Sequence, residues 1–282
     1  MEEQLIFKTL SEYKTHIESL GYTVYAIMLK GSQNYNLDDD ESDIDANVIL
    51  IPKLHEMAKG ITKKFAFNDG EVTAHDIYSF AKIVAKGNPQ WIEVCHTKYK
   101  IGGSLEMFKG YRINPSALKG MAYEKVKAFD HLFPSREHMV KNFGYDPKQL
   151  HHIIRLYDLL KENVCLLEYG TDLRENMIAI KRGSLDVKTA NIKKDEYMNK
   201  IIELTKERKL EYKQQKIDYD AINEIVYSYI KSEAKQKQAN IVIRTFGGDI
   251  PKFIKQTLNE EELIQYKDKD LSISCFIEIE EL

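Results

Sequence analysis

The stretch of sequence that decides the fold is Gly31-Ser32-Gln33-Asn34-Tyr35-Asn36-Leu37-Asp38-Asp39-Asp40-Glu41-Ser42-Asp43-Ile44-Asp45. It follows Tyr22–Lys30, a segment rich in β-branched and aromatic residues that is typical of a buried strand. Gly31 ends that strand, and a Gly-Ser turn offers backbone N–H groups and a small hydroxyl to a phosphate. The stretch therefore predicts a strand, a phosphate-binding turn and a second strand in succession.

The second predicted strand, Ser42–Ile51, carries two aspartates near its start. Side chains alternate along a strand, so Asp43 and Asp45 lie on the same face. Two close carboxylates repel each other unless a cation lies between them, and Mg²⁺ takes carboxylate, water and phosphate oxygens as ligands. The pair therefore predicts a site for Mg²⁺, with Mn²⁺ as an alternative, that holds a nucleoside triphosphate. The four acids at 38–41 are instead expected to be solvent-exposed loop residues.

A Gly-Ser turn followed by Ser-Asp-x-Asp at the start of an apolar strand resembles the nucleotidyltransferase superfamily of DNA polymerase β-like folds. More closely, the chain resembles the predicted nucleotidyltransferases of the RNA-repair-pathway DNA polymerase β group, which are common in bacteria and their phages. The resemblance covers roughly the first four fifths of the chain. Its further segments are Glu71–Ile77, Lys86–Glu93, Gly144–Lys148, His152, Arg155 and Ile180–Gly183. One departure is Asn36, where that family usually has Gly, and Asn tolerates a left-handed backbone better than other non-glycine residues.

The resemblance implies metal-dependent nucleotidyl transfer from a nucleoside triphosphate such as ATP, with release of pyrophosphate. Gly31 and Ser32 would hold the triphosphate, and Asp43 and Asp45 would hold two Mg²⁺ ions. A third acid on a neighbouring strand would complete the site. We take Glu71 as this third acid, as a metal ligand and as a plausible base for the attacking hydroxyl, although the family generally has Asp at this position.

The choice of third acid depends on a predicted hairpin. Asn68-Asp69-Gly70 is a strong turn signal, so Glu71–Ile77 should form a strand that returns beside Phe65–Phe67. Asp76 is the alternative third acid. It precedes an apolar segment with helical period, however, and is more simply explained as the N-cap of a helix.

A second group of candidate residues lies on a predicted helix that begins at Asp146-Pro147, an N-cap followed by proline at the first helical position. Lys148, His152 and Arg155 follow at i, i+4 and i+7 and share one face, which could meet triphosphate oxygens or a nucleic-acid backbone. A solvated basic face would have the same spacing, and the family resemblance favours ligand contact. His151 is expected to be structural.

Composition is consistent with a globular protein of more than one domain, with 282 residues of which 43% are hydrophobic. The net charge of -3 argues against a general polyanion binder, although the basic stretch at 181–216 could follow an RNA backbone or form a solvated helix pair. The N-terminus lacks signal-peptide features and no apolar run is long enough to span a membrane, so we expect a soluble cytoplasmic protein. Cys95, Cys165 and Cys275 are far apart and are expected to be buried thiols.

The expected fold is α+β. A mixed-sheet nucleotidyltransferase core should span 1–112, a helical domain 113–236 and a small C-terminal α/β extension 237–282, with strand-like segments at 240–246 and 271–279. The expected acceptor is a hydroxyl at an RNA (tRNA-like) end, and this expectation comes from the resemblance alone. Two other functions fit the sequence: adenylylation of a protein or small molecule by a toxin or host-takeover factor, and nucleotide binding without turnover.

Overall fold

The computed structural model describes residues 3–39, 42–53, 56–57, 59–68, 70–134, 136–236, 239–245, 255–256 and 275–281. Within these ranges the helices are α1 Glu3–Ser19, α2 Ile77–Ala85, α3 Pro89–Cys95, α4 Glu106–Lys109, α5 Pro115–Ala128, α6 Glu137–Phe143, α7 Pro147–Glu162, α8 Thr171–Lys181, α9 Val187–Glu211 and α10 Tyr219–Gln236. The strands are β1 Thr23–Lys30, β2 Asp45–Ile51, β3 Thr62–Phe67, β4 Gly70–Asp76, β5 Lys100–Gly102, β6 Ala239–Thr245, β7 Lys255–Gln256 and β8 Cys275–Glu281, and a 3₁₀ helix spans Ser32–Tyr35. This mixed composition confirms the predicted α+β class.

A five-stranded mixed sheet of order β3-β4-β2-β1-β5 forms the centre of the fold. β1 runs antiparallel to β2 and β5, whereas β2 runs parallel to β4. β3 and β4 pair as a hairpin that brings Phe67 opposite Gly70, which confirms the predicted turn, although Asp69 itself lies outside the described residues. The end of β1 therefore lies beside the starts of β2 and β4. Lys30 pairs with Asp45 at this edge of the sheet.

The two faces of the sheet bury separate cores, as the two-residue period of a strand requires. On one face Val48 and Val72 pack with residues of α1. On the other face Met28 and Ile49 pack with residues of α2, α3 and α10. Fully burying one such aliphatic side chain contributes roughly 1.5–3 kcal/mol, so these two layers hold the sheet rigidly in place.

Helices form a second layer beyond the end of the sheet. α5, α7 and α9 enclose one apolar cluster, which includes Ile153 and Ile201. Another cluster joins this layer to the 3₁₀ helix, because Tyr35 packs with Phe129 and Leu150. The Gly-Ser turn is therefore held between the sheet and the helices.

The C-terminal strands form their own antiparallel sheet of order β7-β6-β8. The predicted strand at 240–246 corresponds to β6 and the one at 271–279 to β8, while residues 246 and 271–274 lie outside the described ranges. Cys95 and Cys165 are buried free thiols, as predicted. Across the described residues, no helix is both long enough and apolar enough to pass through a membrane.

Candidate active site

The turn after β1 has a backbone shape that depends on its glycine. Gly31 has φ +114°, a conformation that residues with a Cβ rarely adopt, and Ser32 follows it as the first residue of the 3₁₀ helix. Asn36 ends that helix with φ +61° and ψ +36° in the left-handed region. The Asn36 side-chain amide donates a hydrogen bond to the Tyr169 carbonyl at 2.9 Å. The prediction that Asn can serve where the family has Gly is confirmed.

Asp43 and Asp45 both lie at the edge of the sheet. β2 begins at Asp45, three residues later than predicted, and the Gln33 side-chain amide donates to the Asp43 carbonyl at 2.7 Å. The Asp43 carboxylate is exposed, and it has no hydrogen-bond or ion-pair partner among the described residues. Asp45 is more constrained, because its Oδ1 accepts the backbone N–H of Glu71 at 3.0 Å and its Oδ2 lies 3.9 Å from Lys30 Nζ.

Glu71 is adjacent to Asp45 in the sheet, but its carboxylate is paired with Lys64, whose Nζ lies 3.1 Å from Oε1. Over the described ranges, no three His, Cys, Asp or Glu side chains are grouped closely enough to hold a metal ion. Asp76 is fully engaged: Oδ1 accepts two backbone N–H groups in the first turn of α2, and Oδ2 accepts the N–H of Ile61. The predicted helix cap is confirmed, and the role of Glu71 as third acid stays a prediction.

The acidic loop before Asp43 is more ordered than the sequence predicted. Asp38 is buried, and the side chain of Asp39 is only 10% exposed. The Asp39 carboxylate accepts hydrogen bonds from Lys181 Nζ at 2.9 Å and the Ser42 hydroxyl at 2.7 Å. Burial raises the pKa of Asp39, but these hydrogen bonds outweigh burial and leave the pKa below its ordinary value. The prediction of a solvated loop is wrong for Asp38 and Asp39, because Arg174 and Lys181 of α8 contact them. Residues 40 and 41 lie outside the described ranges.

A cavity of about 810 Å³ lies between this edge of the sheet and the helices α5, α6, α7 and α8. Its volume falls in the range of small-molecule and cofactor sites. Its lining includes the cations Lys30, Lys125, Arg136, Lys148, Arg155, Lys181 and Arg182, the acids Asp39, Asp43 and Asp45, and the apolar side chains Met121, Met139, Phe143 and Leu156. The predicted site residues that line it are Gly31, Ser32, Asp43, Asp45, Lys148, His152 and Arg155. Glu71 is the predicted site residue that is not part of this lining.

α7 forms the wall opposite the carboxylates and begins as predicted. Asp146 is its N-cap and accepts the backbone N–H of Lys148, and Pro147 occupies the first turn. The Arg136 guanidinium donates to both Asp146 oxygens, at 3.0 and 2.5 Å. Burial raises the pKa of Asp146, but the hydrogen bonds from Arg136 and Gln149 more than offset this and leave the pKa lowered. The pair with Arg136 joins the segment before α6 to the start of α7.

Arg155 belongs to a buried network that the sequence analysis missed. Its guanidinium donates to both oxygens of Glu93, with 3.5 Å between Nη2 and Oε2, and both side chains are nearly inaccessible to solvent. It also lies 4.0 Å from the centre of the Tyr35 ring, and the Tyr35 hydroxyl donates to Glu93 at 3.1 Å. Burial lowers the pKa of Arg155, but the charge and hydrogen bond of Glu93, together with Tyr35, outweigh burial and leave the pKa raised, so Arg155 keeps its charge. The sequence feature that could have revealed this network is Glu93, a single acid within the apolar run Trp91–Cys95.

His151 lines the cavity although the sequence predicted only a structural role for it. It is 2% exposed, and neither ring nitrogen has a hydrogen-bond partner among the described residues. Burial lowers the pKa of His151 to about 3, and the charges of Arg155, Lys181 and Lys148 act in the same direction. Burial also lowers the pKa of His152, whose ring centre lies 5.3 Å from that of His151. Both rings are therefore neutral near pH 7 and can offer hydrogen bonds without charge.

No protein-family model and no curated protein sequence matches the chain. Among solved structures, a nucleotidyltransferase-like protein from Exiguobacterium sibiricum 255-15 is 13% identical over 89% of this chain and 97% of that chain, with a TM-score of 0.25. A likeness at this TM-score carries no weight for fold or function, and both rest on the residues described above.

The cations of the cavity fall into two groups. The paired cations are Lys30, Arg136, Arg155 and Lys181, which contact Asp45, Asp146, Glu93 and Asp39 respectively. Within the described part of the chain, Lys125, Lys148 and Arg182 have no carboxylate within 4.0 Å. A ligand that suits this cavity therefore carries several negative charges for the unpaired cations and lies close to the carboxylates of Asp43 and Asp45.

Proposed function

We propose that the chain is a metal-dependent nucleotidyltransferase, which transfers a nucleoside monophosphate from a triphosphate to an acceptor hydroxyl and releases pyrophosphate. The observation that carries this proposal is the composition of one cavity. It combines the Gly31-Ser32 turn, the carboxylates of Asp43 and Asp45, and unpaired cations on the helices. Phosphoryl chemistry needs a positioned metal together with positive charge around the phosphates, and these residues can provide both.

The carboxylate pair fits a hard divalent cation. Among the described residues, the exposed Asp43 carboxylate has no partner, and Asp45 has one oxygen engaged by a backbone N–H and the other by Lys30 at 3.9 Å. Mg²⁺ and Mn²⁺ accept such sets, in which one or two carboxylates are completed by water and phosphate oxygens. When bound, the metal would neutralise phosphate charge and lower the pKa of the attacking hydroxyl.

We propose Glu71 as the third acid, which would complete a site for two metal ions. This role requires the Glu71 side chain to leave Lys64. Because the Glu71 and Lys64 side chains are 44% and 68% exposed, their ion pair contributes little to stability, roughly 0–1 kcal/mol. Moving the Glu71 side chain away from Lys64 therefore costs little free energy, and the freed carboxylate would also be available to accept the proton of the attacking hydroxyl.

The remaining site residues would bind and position the triphosphate. The backbone of Gly31 and the hydroxyl of Ser32 would contact phosphate oxygens, as would the ammonium of Lys148. The neutral ring of His152 would donate a single hydrogen bond. Arg155 lines the cavity while it is held by Glu93, so it would orient the turn through Tyr35 and add positive charge near the phosphates.

For the acceptor we propose a hydroxyl at an RNA end, which rests on the family resemblance. The basic helix α9 would be the second contact surface. Some of its cations are already paired within the helix, such as Lys200 with Glu196 at 2.5 Å and Arg208 with Glu211 at 3.5 Å. A second candidate function, nucleotide binding without turnover, is favoured by the contact between Glu71 and Lys64, because that contact leaves the metal site one acid short.

The test is to incubate the purified protein with each α-phosphate-labelled nucleoside triphosphate, Mg²⁺ or Mn²⁺ and total RNA. We expect label in RNA, and we expect the variant Asp43→Asn/Asp45→Asn to reduce labelling by at least about a hundredfold, because it removes the metal ligands. Glu12→Gln changes an exposed acid of α1, away from the cavity and from α9, and serves as the matched control with unchanged labelling.

The other outcomes select between the alternatives. Label in the protein itself or in added proteins would move the acceptor from RNA to protein adenylylation. Triphosphate binding without pyrophosphate release would identify a binding module. Failure of the wild-type protein to bind any triphosphate in the presence of metal would overturn the proposed function.

A further inference from the structure

Lys125 is a cavity residue that the sequence analysis did not single out. It lies on α5, which packs against α7 through contacts that include Leu118, Ala122 and Ile153, so its position relative to α7 is well fixed. Its side chain is partly buried and lines the same cavity as Asp43 and Asp45. Among the described residues, no carboxylate lies within 4.0 Å of its ammonium.

The charged surroundings of Lys125 are unfavourable for a cation in the empty cavity. Burial lowers the pKa of Lys125, Glu124 opposes this effect, and the positive charges of Arg155 and Lys148 lower the pKa further, against a smaller opposing effect of Asp146. A partly buried ammonium that faces other cations does not stabilise the fold by itself. An anion entering the cavity would supply the missing partner.

The position of Lys125 also indicates which anion it would meet. Lys125 and the two carboxylates belong to different walls of the cavity, because Lys125 lies on α5 in the helical layer and Asp43 and Asp45 lie at the edge of the sheet. We therefore expect the phosphate that meets the metal at Asp43 and Asp45 to be a different one from the phosphate that reaches Lys125.

We propose that Lys125 binds a phosphate group of a substrate, beyond the phosphate that meets Asp43 and Asp45. This inference rests on the proposed function and extends the substrate-binding face from α7 to α5. The phosphate has two possible sources, the polyphosphate chain of the nucleotide and the backbone of the acceptor. Both present the same tetrahedral oxyanion to the ammonium.

The experiment compares the full-length variants Lys125→Met and Lys125→Arg with the matched control Lys127→Met. Lys127 lies on the same helix, is exposed and does not line the cavity. Isothermal titration measures the Kd for ATP with Mg²⁺, for inorganic tripolyphosphate and for a short single-stranded RNA. Lys125→Met should raise the Kd of at least one probe by about tenfold or more, whereas Lys125→Arg should stay within about threefold of wild type.

The pattern across the probes identifies the source of the phosphate. Weaker binding of ATP and tripolyphosphate assigns Lys125 to the nucleotide, and weaker binding of RNA alone assigns it to the acceptor. In the ligand-free protein, Lys125→Met should have a Tm equal to or above that of wild type, because it removes a cation from among other cations. A structural lysine would instead lower the Tm.

Two results would overturn the assignment. One is an unchanged Kd for all three probes in Lys125→Met. The other is an equal loss of affinity in Lys127→Met, which would mean that the weaker binding comes from the change in net charge and not from a contact with Lys125. If the wild-type protein binds tripolyphosphate or RNA but no nucleoside triphosphate with Mg²⁺, the proposed function fails, and the Lys125 comparison is still decided by the probes that bind. The two failures are therefore distinguishable.

Discussion

His151 and His152 lie at the centre of the cavity face of α7, and neither carries charge near pH 7. Burial and nearby cations lower the pKa of both rings. The side chains that line the cavity therefore have different roles: lysine and arginine supply positive charge, and the two imidazoles supply uncharged hydrogen-bonding groups. A neutral ring is suited to a directional contact that does not depend on pH over the physiological range.

This arrangement predicts a specific pH dependence of stability. The pKa of His151 is lowered to about 3 in the folded protein, and an unfolded histidine titrates near 6.5. The unfolded state therefore binds an extra proton below about pH 6.5, so the stability contributed by the neutral ring is complete above that pH and falls as the pH drops towards 3. The expected slope is up to about 1.4 kcal/mol per pH unit.

We expect His151→Asn to reduce the dependence of the free energy of unfolding on pH by about 1 kcal/mol per unit between roughly pH 6 and 5. Urea unfolding at several pH values measures this slope for wild type and variant. In this window most carboxylates with ordinary or lowered pKa values stay ionised, so histidines dominate the change. A slope as steep in the variant as in wild type would contradict a neutral, buried His151.

At the same scale, the sequence analysis singled out residues that the structure brings to one cavity. Gly31, Ser32 and Asp43 lie between β1 and β2 and Asp45 begins β2, and all four line the cavity, while their roles stay predictions. Glu93 was missed and Asp39 was placed in solvent, because their partners are distant in sequence: Arg155 for Glu93 and Lys181 for Asp39. Which helix packs against which loop is a tertiary property that no local pattern specifies.

Between elements, the buried pair of Glu93 and Arg155 connects α3 on the sheet to α7 in the helical layer. We expect Glu93→Gln to lower the free energy of unfolding by about 3–5 kcal/mol, because it leaves the Arg155 charge buried without a counter-charge. Urea unfolding measures this loss. Glu137→Gln breaks the exposed pair with Lys141 on α6 and should cost less than about 1 kcal/mol.

A double variant tests whether Glu93 and Arg155 stabilise the fold as an interacting pair. Glu93→Gln/Arg155→Met should lose less stability than the sum of its single variants, because the second change removes the charge that the first leaves unpaired. Strict additivity of the two losses would mean that Glu93 and Arg155 do not act as a pair.

Element boundaries were predicted where a local signal sets them. The Asp76 cap, the Asp146-Pro147 start and the hairpin before Gly70 each depend on residues within one turn, and each is confirmed. The parallel pairing of β2 with β4 and the packing of α10 on the sheet were not predicted. Both depend on contacts between segments that are far apart in the chain, which periodicity does not reveal.

For the whole molecule, the described lining of the cavity and the described members of the main cores all precede the C-terminal strands. Its described lining residues fall between Lys30 and Arg182, and α10 contributes Ile222 and Val226 to the core on the sheet. A chain that ends after Gln236 is therefore expected to fold and to bind ATP with Mg²⁺ within about threefold of the full-length Kd. Titration calorimetry on both chains tests this, and a loss of binding on truncation would place part of the site in residues 237–282.

The attachment of the cavity walls differs from side to side. The wall formed by the Gly31-Ser32 turn and its 3₁₀ helix is held at several points. The Tyr169 N–H donates to the Tyr35 carbonyl at 2.9 Å, and Tyr35 also contacts Arg155. α6 contributes Met139 and Phe143 to the opposite side, yet none of its residues is fully buried. The α6 side of the cavity is therefore where we expect a ligand to enter and leave.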